Sequence, residues 1–237
     1  MTKVENIIQY YVLTNKLKDV VRSGWKYWNI KKQRLESVAD HIYGTCMLAI
    51  AVWSETLPTV NLAEVLMTLA VHETEEVIIG DLTPFDKGYK EKKEKGEKAV
   101  AQIFKNLMCK EIFQTLIKNF DNQSTPEAVF AYKCDKLECD LQAKLYDEQG
   151  FAKYENADEK IKADARIIKL RDKGIKKVSS YFILFDRQHL SKSTKEGEED
   201  MFVEISKYIE KNDITKFLQR PAEKSVQKPT TKPVAKK

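Results

Sequence analysis

The chain has 237 residues, of which 42% are hydrophobic and 32% charged, with only 8 Gly and 6 Pro. That is enough apolar material for one sizeable core, and the wealth of Lys, Glu, Ala and Leu with few breakers predicts an all-α fold. No apolar run approaches the ~18 residues of a membrane span, and the opening residues lack the charged-then-apolar layout of a secretory leader, so no membrane association is expected.

Hydrophobic periodicity predicts helices over 3–22, 36–56, 61–79, 91–108, 110–119, 126–148, 158–190 and 197–217. Turns are signalled by Leu57-Pro58, by Asp81 to Pro84, by Asp121-Asn122 and by Gly150. No internal repeat and no alternating strand pattern appears. The Lys- and Glu-dense block 87–98 reads as a solvated loop and first helical turn, with a phosphate-facing lysine patch as the sharper alternative. Cys46, Cys109, Cys134 and Cys139 show no paired framework, which predicts a reduced, cytoplasmic setting. Cys134 and Cys139 do not share a helical face and are read as packing residues.

The net charge of +5 resides at the end of the chain. Residues 219–237 carry six Lys or Arg against one acid, plus three of the six prolines. Residues 1–218 are therefore expected to form a single domain, and 219–237 a disordered basic tail. The tail reads as solubilising, with weak electrostatic contact to nucleic acid or an acidic partner as the sharper alternative. No aromatic side chain interleaves its lysines, so a nucleic-acid partner is not expected.

The histidines are the most informative residues. There are three, and His41 and His72 fall on apolar stripes of helical segments. The first stripe is Val38, Ile42, Leu48, Ala49, Val52, with His41 and Thr45 on it. The second is Leu62, Val65, Leu66, Leu69, and it continues as His72, Glu73 and Glu76. Asp81 closes the second segment. Burying such groups without partners costs several kcal/mol each (roughly 2–7 for a neutral polar group). A metal ion turns that cost into coordination. A single core-stripe histidine is ordinarily a hydrogen-bonded structural residue, and a His-Glu pair can sit at a surface turn. The coincidence of two such histidines with three acids points to metal. A further ligand should come from 126–149, whose stripe is Phe130, Cys134, Leu137, Leu141, Leu145. Asp135 lies at its margin and Asp140 on another face, so the helical wheel prefers Asp135. His189 sits in a polar run and is read as exposed.

Three stretches together resemble the HD-domain metal-dependent phosphohydrolases. They are 36-ESVADH-41, 69-LAVHETEEVIIGDLTP-84 and 134-CDKLE-138. Within that family the similarity is greatest to the branch that hydrolyses deoxyribonucleoside 5′-monophosphates, and it spans roughly residues 10–150. The chain departs from the family in having His72-Glu73 where His-Asp is usual, which lengthens the carboxylate arm by one methylene and affects metal choice.

The resemblance implies an HD-domain helical bundle with extra C-terminal helices and a homodimer. It implies one divalent metal ion held by His41, His72, Glu73 and Asp135. Two imidazoles and two carboxylates with open positions suit Mn²⁺, Co²⁺, Fe²⁺ or Zn²⁺ better than Ca²⁺ or Mg²⁺. Glu76 and Asp81 match the catalytic acids, and Arg22 and Trp25 the segment that contacts phosphate and nucleoside. Trp25 has ordinary core packing as its other reading. The implied reaction is release of phosphate from a nucleoside 5′-monophosphate by attack of a metal-bound water. A triphosphate or other small phosphate ester as substrate, or a non-catalytic binding protein, are the alternatives. A triphosphate site would call for more cations than Arg22 alone.

Overall fold

The long helix over Pro126–Glu148 is the axis of the molecule, and its sequence explains its length. The Thr125 hydroxyl accepts from the backbone N–H of Ala128 at 3.1 Å, Pro126 occupies the first turn, and no further Gly or Pro intervenes before Gly150, whose φ is +78°. Buried residues occur all round this helix, because neighbours pack on several sides. Its buried lysines find partners: Lys144 meets Glu148 at 2.7 Å and Lys133 pairs with Asp200.

The computed structural model describes residues 1–86, 88–191 and 200–218, without the side chain of Lys90. In chain order its helices are α1 (Lys3–Thr14), α2 (Ser23–Tyr27), α3 (Val38–Thr56), α4 (Leu62–Val71), α5 (Glu76–Ile79), α6 (Lys92–Phe104), α7 (Lys110–Asn122) and α8 (Pro126–Glu148). They are followed by α9 (Glu159–Lys162), α10 (Ala165–Asp172), α11 (Val178–Leu190) and α12 (Met201–Lys211). Short 3₁₀ turns lie between several of these. The fold is all-α. Among the described residues the one β-type pairing is a bridge between Val21 and Ser37. No described helix is long and apolar enough to cross a membrane. The basic tail 219–237, residues 197–199 of the helix expected over 197–217, and Lys87 lie outside the described residues.

Helices α3, α4, α7, α11 and α12 surround α8. One core joins Val52, Val65, Leu69, Ala131, Cys134, Leu137, Ile183 and Phe202 across α3, α4, α8, α11 and α12. A second, aromatic core gathers Trp25, Trp28, Tyr146 and Tyr181.

Three departures from the expected elements matter. The helix expected over 3–22 ends at Thr14. Residues 20–22 instead pair with 36–38, Arg22 N–H donating to Glu36 C=O at 3.1 Å and Val38 N–H to Val20 C=O at 2.8 Å. That pairing fixes Arg22 beside the start of α3. The helix expected over 61–79 breaks after Val71, where Thr74 N–H and hydroxyl both bond to Val71 C=O and Glu76 N–H bonds to Glu73 C=O. These three-residue closures replace the four-residue ladder. The segment 158–190 is three helices, divided by the Asp164 cap, which accepts from Arg166 N–H at 2.8 Å, and by Gly174 at φ +86°.

Candidate metal centre

His41 stands in the first turns of α3, placed there by a reciprocal cap. The Ser37 hydroxyl accepts from Asp40 N–H, and the Asp40 carboxylate accepts from Ser37 N–H. Its ring is 0% exposed. Nε2 lies 2.9 Å from Asp135 Oδ1 on α8 and Nδ1 lies 2.5 Å from Glu138 Oε2, one turn further along. His72 caps the end of α4. Its Nδ1–H donates to Leu69 C=O at 2.7 Å, which leaves Nε2 facing Asp135 Oδ1 at 3.8 Å with no hydrogen-bond partner. Glu73 follows immediately. Its Oε1 accepts from Arg22 Nη1 at 2.7 Å, and its Oε2, buried and without a hydrogen-bond partner, is 3.9 Å from His41 Nε2.

One donor atom from each of His41, His72, Glu73 and Asp135 can be chosen so that all four lie within 4.8 Å of one another. Buried polar atoms left without partners are rare, and here two of them, His72 Nε2 and Glu73 Oε2, point to one spot. Two imidazole nitrogens and two carboxylates fit a divalent transition metal. Glu73 takes the place of the usual aspartate, and its donor atoms still meet this set.

The charges are strongly coupled. Burial and the Arg22 charge push the His41 pKa down, but Glu73, Asp135 and Glu138 outweigh them and hold it at about 10. Burial works upward on Glu73, yet Arg22 and the two histidines bring it down to about 2. Asp135 is likewise held well below the carboxylate range, Lys136 and His41 overcoming burial.

Beside this cluster lie the two acids of the 69–84 stretch. Glu76, in α5, is 1% exposed; its Oε1 accepts from Lys92 Nζ at 3.1 Å, and its Oε2 has no hydrogen-bond partner. Burial first, then Glu73 and Asp81, raise its pKa to about 9 against the pull of Lys92 and Arg22. Asp81 Oδ2 accepts from Ser23 N–H at 2.5 Å. Gly80, at φ +75°, ends α5 and turns the chain so that Asp81 reaches the start of α2.

Two expected placements are not found. Trp25, given a nucleoside-contacting role by the resemblance, is 2% exposed. Its indole N–H donates to Glu36 Oε2 at 2.5 Å and its ring packs edge-on to Tyr146, so no open face remains and the core-packing reading is the one observed. His189 is half-buried, its Nδ1 lying 3.1 Å from the Tyr132 hydroxyl. Cys134 is a core residue, as its stripe position implied.

The sequence reading missed Glu138, Glu36, Gly44 and Lys92. Glu138 carried a signal, being three residues after Asp135 and so on the same face. Glu36 is buried beside Glu138 and His41, and burial, then Glu138, raise its pKa to about 7. Gly44 lies against the Glu138 side chain, in space that a Cβ would fill.

Residues 14–176 match the HD domain family, so the chain belongs to that family. The zebrafish (Danio rerio) 5′-deoxynucleotidase HDDC2 is 34% identical over 149 residues, covering 61% of this chain and 72% of that protein. The human 5′-deoxynucleotidase HDDC2 is 33% identical over 147 residues, 60% of this chain and 69% of that protein. Among solved structures, a conserved hypothetical protein from Pyrococcus furiosus aligns with TM-score 0.53 at 25% identity over 70% of this chain and 95% of that one. A predicted metal-dependent phosphohydrolase from Magnetospirillum magnetotacticum aligns with TM-score 0.54 at 20% identity over 73% of this chain and 97% of that one, a likeness of fold.

Proposed function

We propose that the chain is a metal-dependent phosphohydrolase releasing phosphate from deoxynucleoside 5′-monophosphates. The observation that carries this reading is the convergence of His72 Nε2 and Glu73 Oε2, both buried and without hydrogen-bond partners, on His41 and Asp135. The names of the relatives supply the substrate class.

His41, His72, Glu73 and Asp135 would hold one divalent ion, with Mn²⁺, Co²⁺, Fe²⁺ or Zn²⁺ preferred over Mg²⁺ because two donors are imidazoles. When bound, such an ion supplies Lewis acidity toward a phosphoryl oxygen and lowers the pKa of water. The remaining work falls to side chains. Arg22 gives one Nη1 bond to Glu73 and keeps further N–H donors for phosphate oxygens. The surroundings of Glu76 favour its protonated form, which suits donation to the leaving 5′-oxygen. Asp81, already an acceptor toward Ser23, suits the receipt of a proton from the attacking water. Trp25 acts at one remove by fixing Glu36 behind His41.

We extend the reading to residues 1–218 as one HD-type unit, to a cytoplasmic setting that suits four free cysteines, and to a homodimer. Exposed Ile168, Tyr208 and Phe217 in the C-terminal part support the last, which sedimentation checks. The deciding experiment for the activity is phosphate release from nucleoside mono- and triphosphates, with EDTA and with each metal restored. Metal-dependent release from deoxynucleoside monophosphates is expected. No release with any of these metals would return the protein to the non-catalytic alternative.

A further inference from the structure

Of the lysines in 87–98 whose side chains are described, Lys93, Lys95 and Lys98 are exposed; Lys95 lies 4.0 Å from Glu91, and Lys98 pairs with Glu94 one turn away. Lys92, at the start of α6, turns inward. Its Nζ donates to Glu76 Oε1 at 3.1 Å and to Leu82 C=O at 3.2 Å. One ammonium thus ties α5 to the loop that follows Gly80. Two consequences are geometric. Glu76 has one oxygen engaged, so the carboxylate cannot swing freely and its other oxygen stays buried and without a hydrogen-bond partner. Leu82 directly follows Asp81, so the same bond anchors the backbone that presents the second acid. An ammonium has three donors and a compact charge, which suits it to bridging a carboxylate and a carbonyl.

We propose that Lys92 is the positioning residue of the acid side of this site, holding Glu76 and the Asp81 loop in register with the cluster of His41, His72, Glu73 and Asp135. It acts through Glu76 and Asp81 and does not contact the reacting phosphate. This inference rests on the phosphohydrolase reading, and its test is built so that the two can fail separately.

The first measurement is amide hydrogen exchange in the full-length, metal-free protein. Lys92→Met should speed exchange of the amides of 81–86 and leave α8 unchanged, whether or not any phosphate ester is turned over. The second is kinetic. Lys92→Met should lower kcat by roughly 10–100-fold, the scale seen when an outer-shell partner is removed, with KM close to wild type. Lys92→Arg should recover part of the loss. In a Glu76→Gln background the Lys92→Met loss should shrink sharply, because residues acting through one another are not additive. Lys92→Gln serves if Lys92→Met does not fold. Unchanged exchange in 81–86, an unchanged kcat, a full loss repeated in the Glu76→Gln background, or a raised KM as the main effect would each overturn the proposal. If the wild type releases no phosphate from any ester, the functional reading fails, and the exchange measurement alone decides whether Lys92 fastens the loop.

Discussion

Glu138 Oε2 lies 2.5 Å from Nδ1 of His41, on the opposite edge of the ring from Asp135 Oδ1 at 2.9 Å from Nε2. The two carboxylates are three residues apart on α8 and so share a face. One fixes the ring and the other belongs with it to the group that could hold a metal ion. A carboxylate behind a ligating histidine sets its tautomer, keeping Nδ1 protonated and Nε2 available. The space for this carboxylate is made on α3 itself, where Gly44 follows His41 by about one turn.

Gly44→Ala should therefore act on the metal without touching a ligand. The added Cβ would overlap the Glu138 side chain, which is buried and cannot step aside freely. Displacing that carboxylate releases His41, and metal affinity should fall by roughly 10–100-fold. Glu138→Gln should lose less, since its amide oxygen can still accept from Nδ1–H. Competition titration against a chelator measures both, and wild-type affinity in Gly44→Ala would mean the contact is idle.

His72→Ala should remove most bound metal and all activity. Glu73→Asp should retain or improve both, because a shorter arm at that position is the common arrangement in the family. Metal content by mass spectrometry reads the outcome directly, and an unaltered content in His72→Ala refutes the donor set. Binding must also displace a proton, since surrounding carboxylates hold the His41 pKa at about 10 in the metal-free protein. Affinity should accordingly fall as pH falls.

How much of this was legible in the sequence depends on what each residue rests on. His41, His72 and Glu73 stood out because ionisable groups on apolar stripes are anomalous, whereas Asp135 lay only at the margin of its stripe and joined the set through the family resemblance; the end of α8 was marked by Gly150, a local stop signal. The break after Val71 was not, since it comes from the Thr74 hydroxyl and amide sharing one carbonyl, which leaves no mark in hydrophobic periodicity. Arg22 was placed on a continuous helix because nothing local shows that residues 20–22 pair with 36–38. Lys92 looked like one lysine among several, and only the approach of α6 to α5 distinguishes it. The division of 158–190 could have been read from Asp164 and Gly174, a cap and a left-handed stop that the amphipathic repeat masked.

Glu76→Gln and Asp81→Asn keep size and remove charge. Each should leave metal occupancy near wild type and lower kcat by ~10²–10⁴, the scale for loss of a general acid or base. Arg22→Ala should differ, raising KM as well as lowering kcat, because phosphate charge is met before and during transfer. Steady-state kinetics beside metal analysis separates the cases. Loss of metal in Glu76→Gln would recast that residue as a ligand.

Asp140 tests a different part of α8. It is 0% exposed and neither carboxylate oxygen has a hydrogen-bond partner. Burial first, then the charge of Asp186, raise its pKa well above the usual range, against the pull of Arg187 and Lys136. Asp186 is itself pushed up to about 6, chiefly by burial. For an acid raised in the folded state the sign is fixed. Below the unfolded value of ~3.9 both states are protonated and no penalty exists. As pH rises past it, the unfolded chain releases the proton first, and stability falls until the folded pKa is passed. Asp140→Asn has the shape of the protonated acid and cannot ionise. Its melting temperature relative to wild type should therefore rise from pH 5 to pH 8, each kcal/mol relieved appearing as ~2–4 °C. Calorimetry of both proteins at the two pH values reads the difference. A melting-temperature gap that is the same at pH 5 and pH 8 would show that Asp140 carries no such burden.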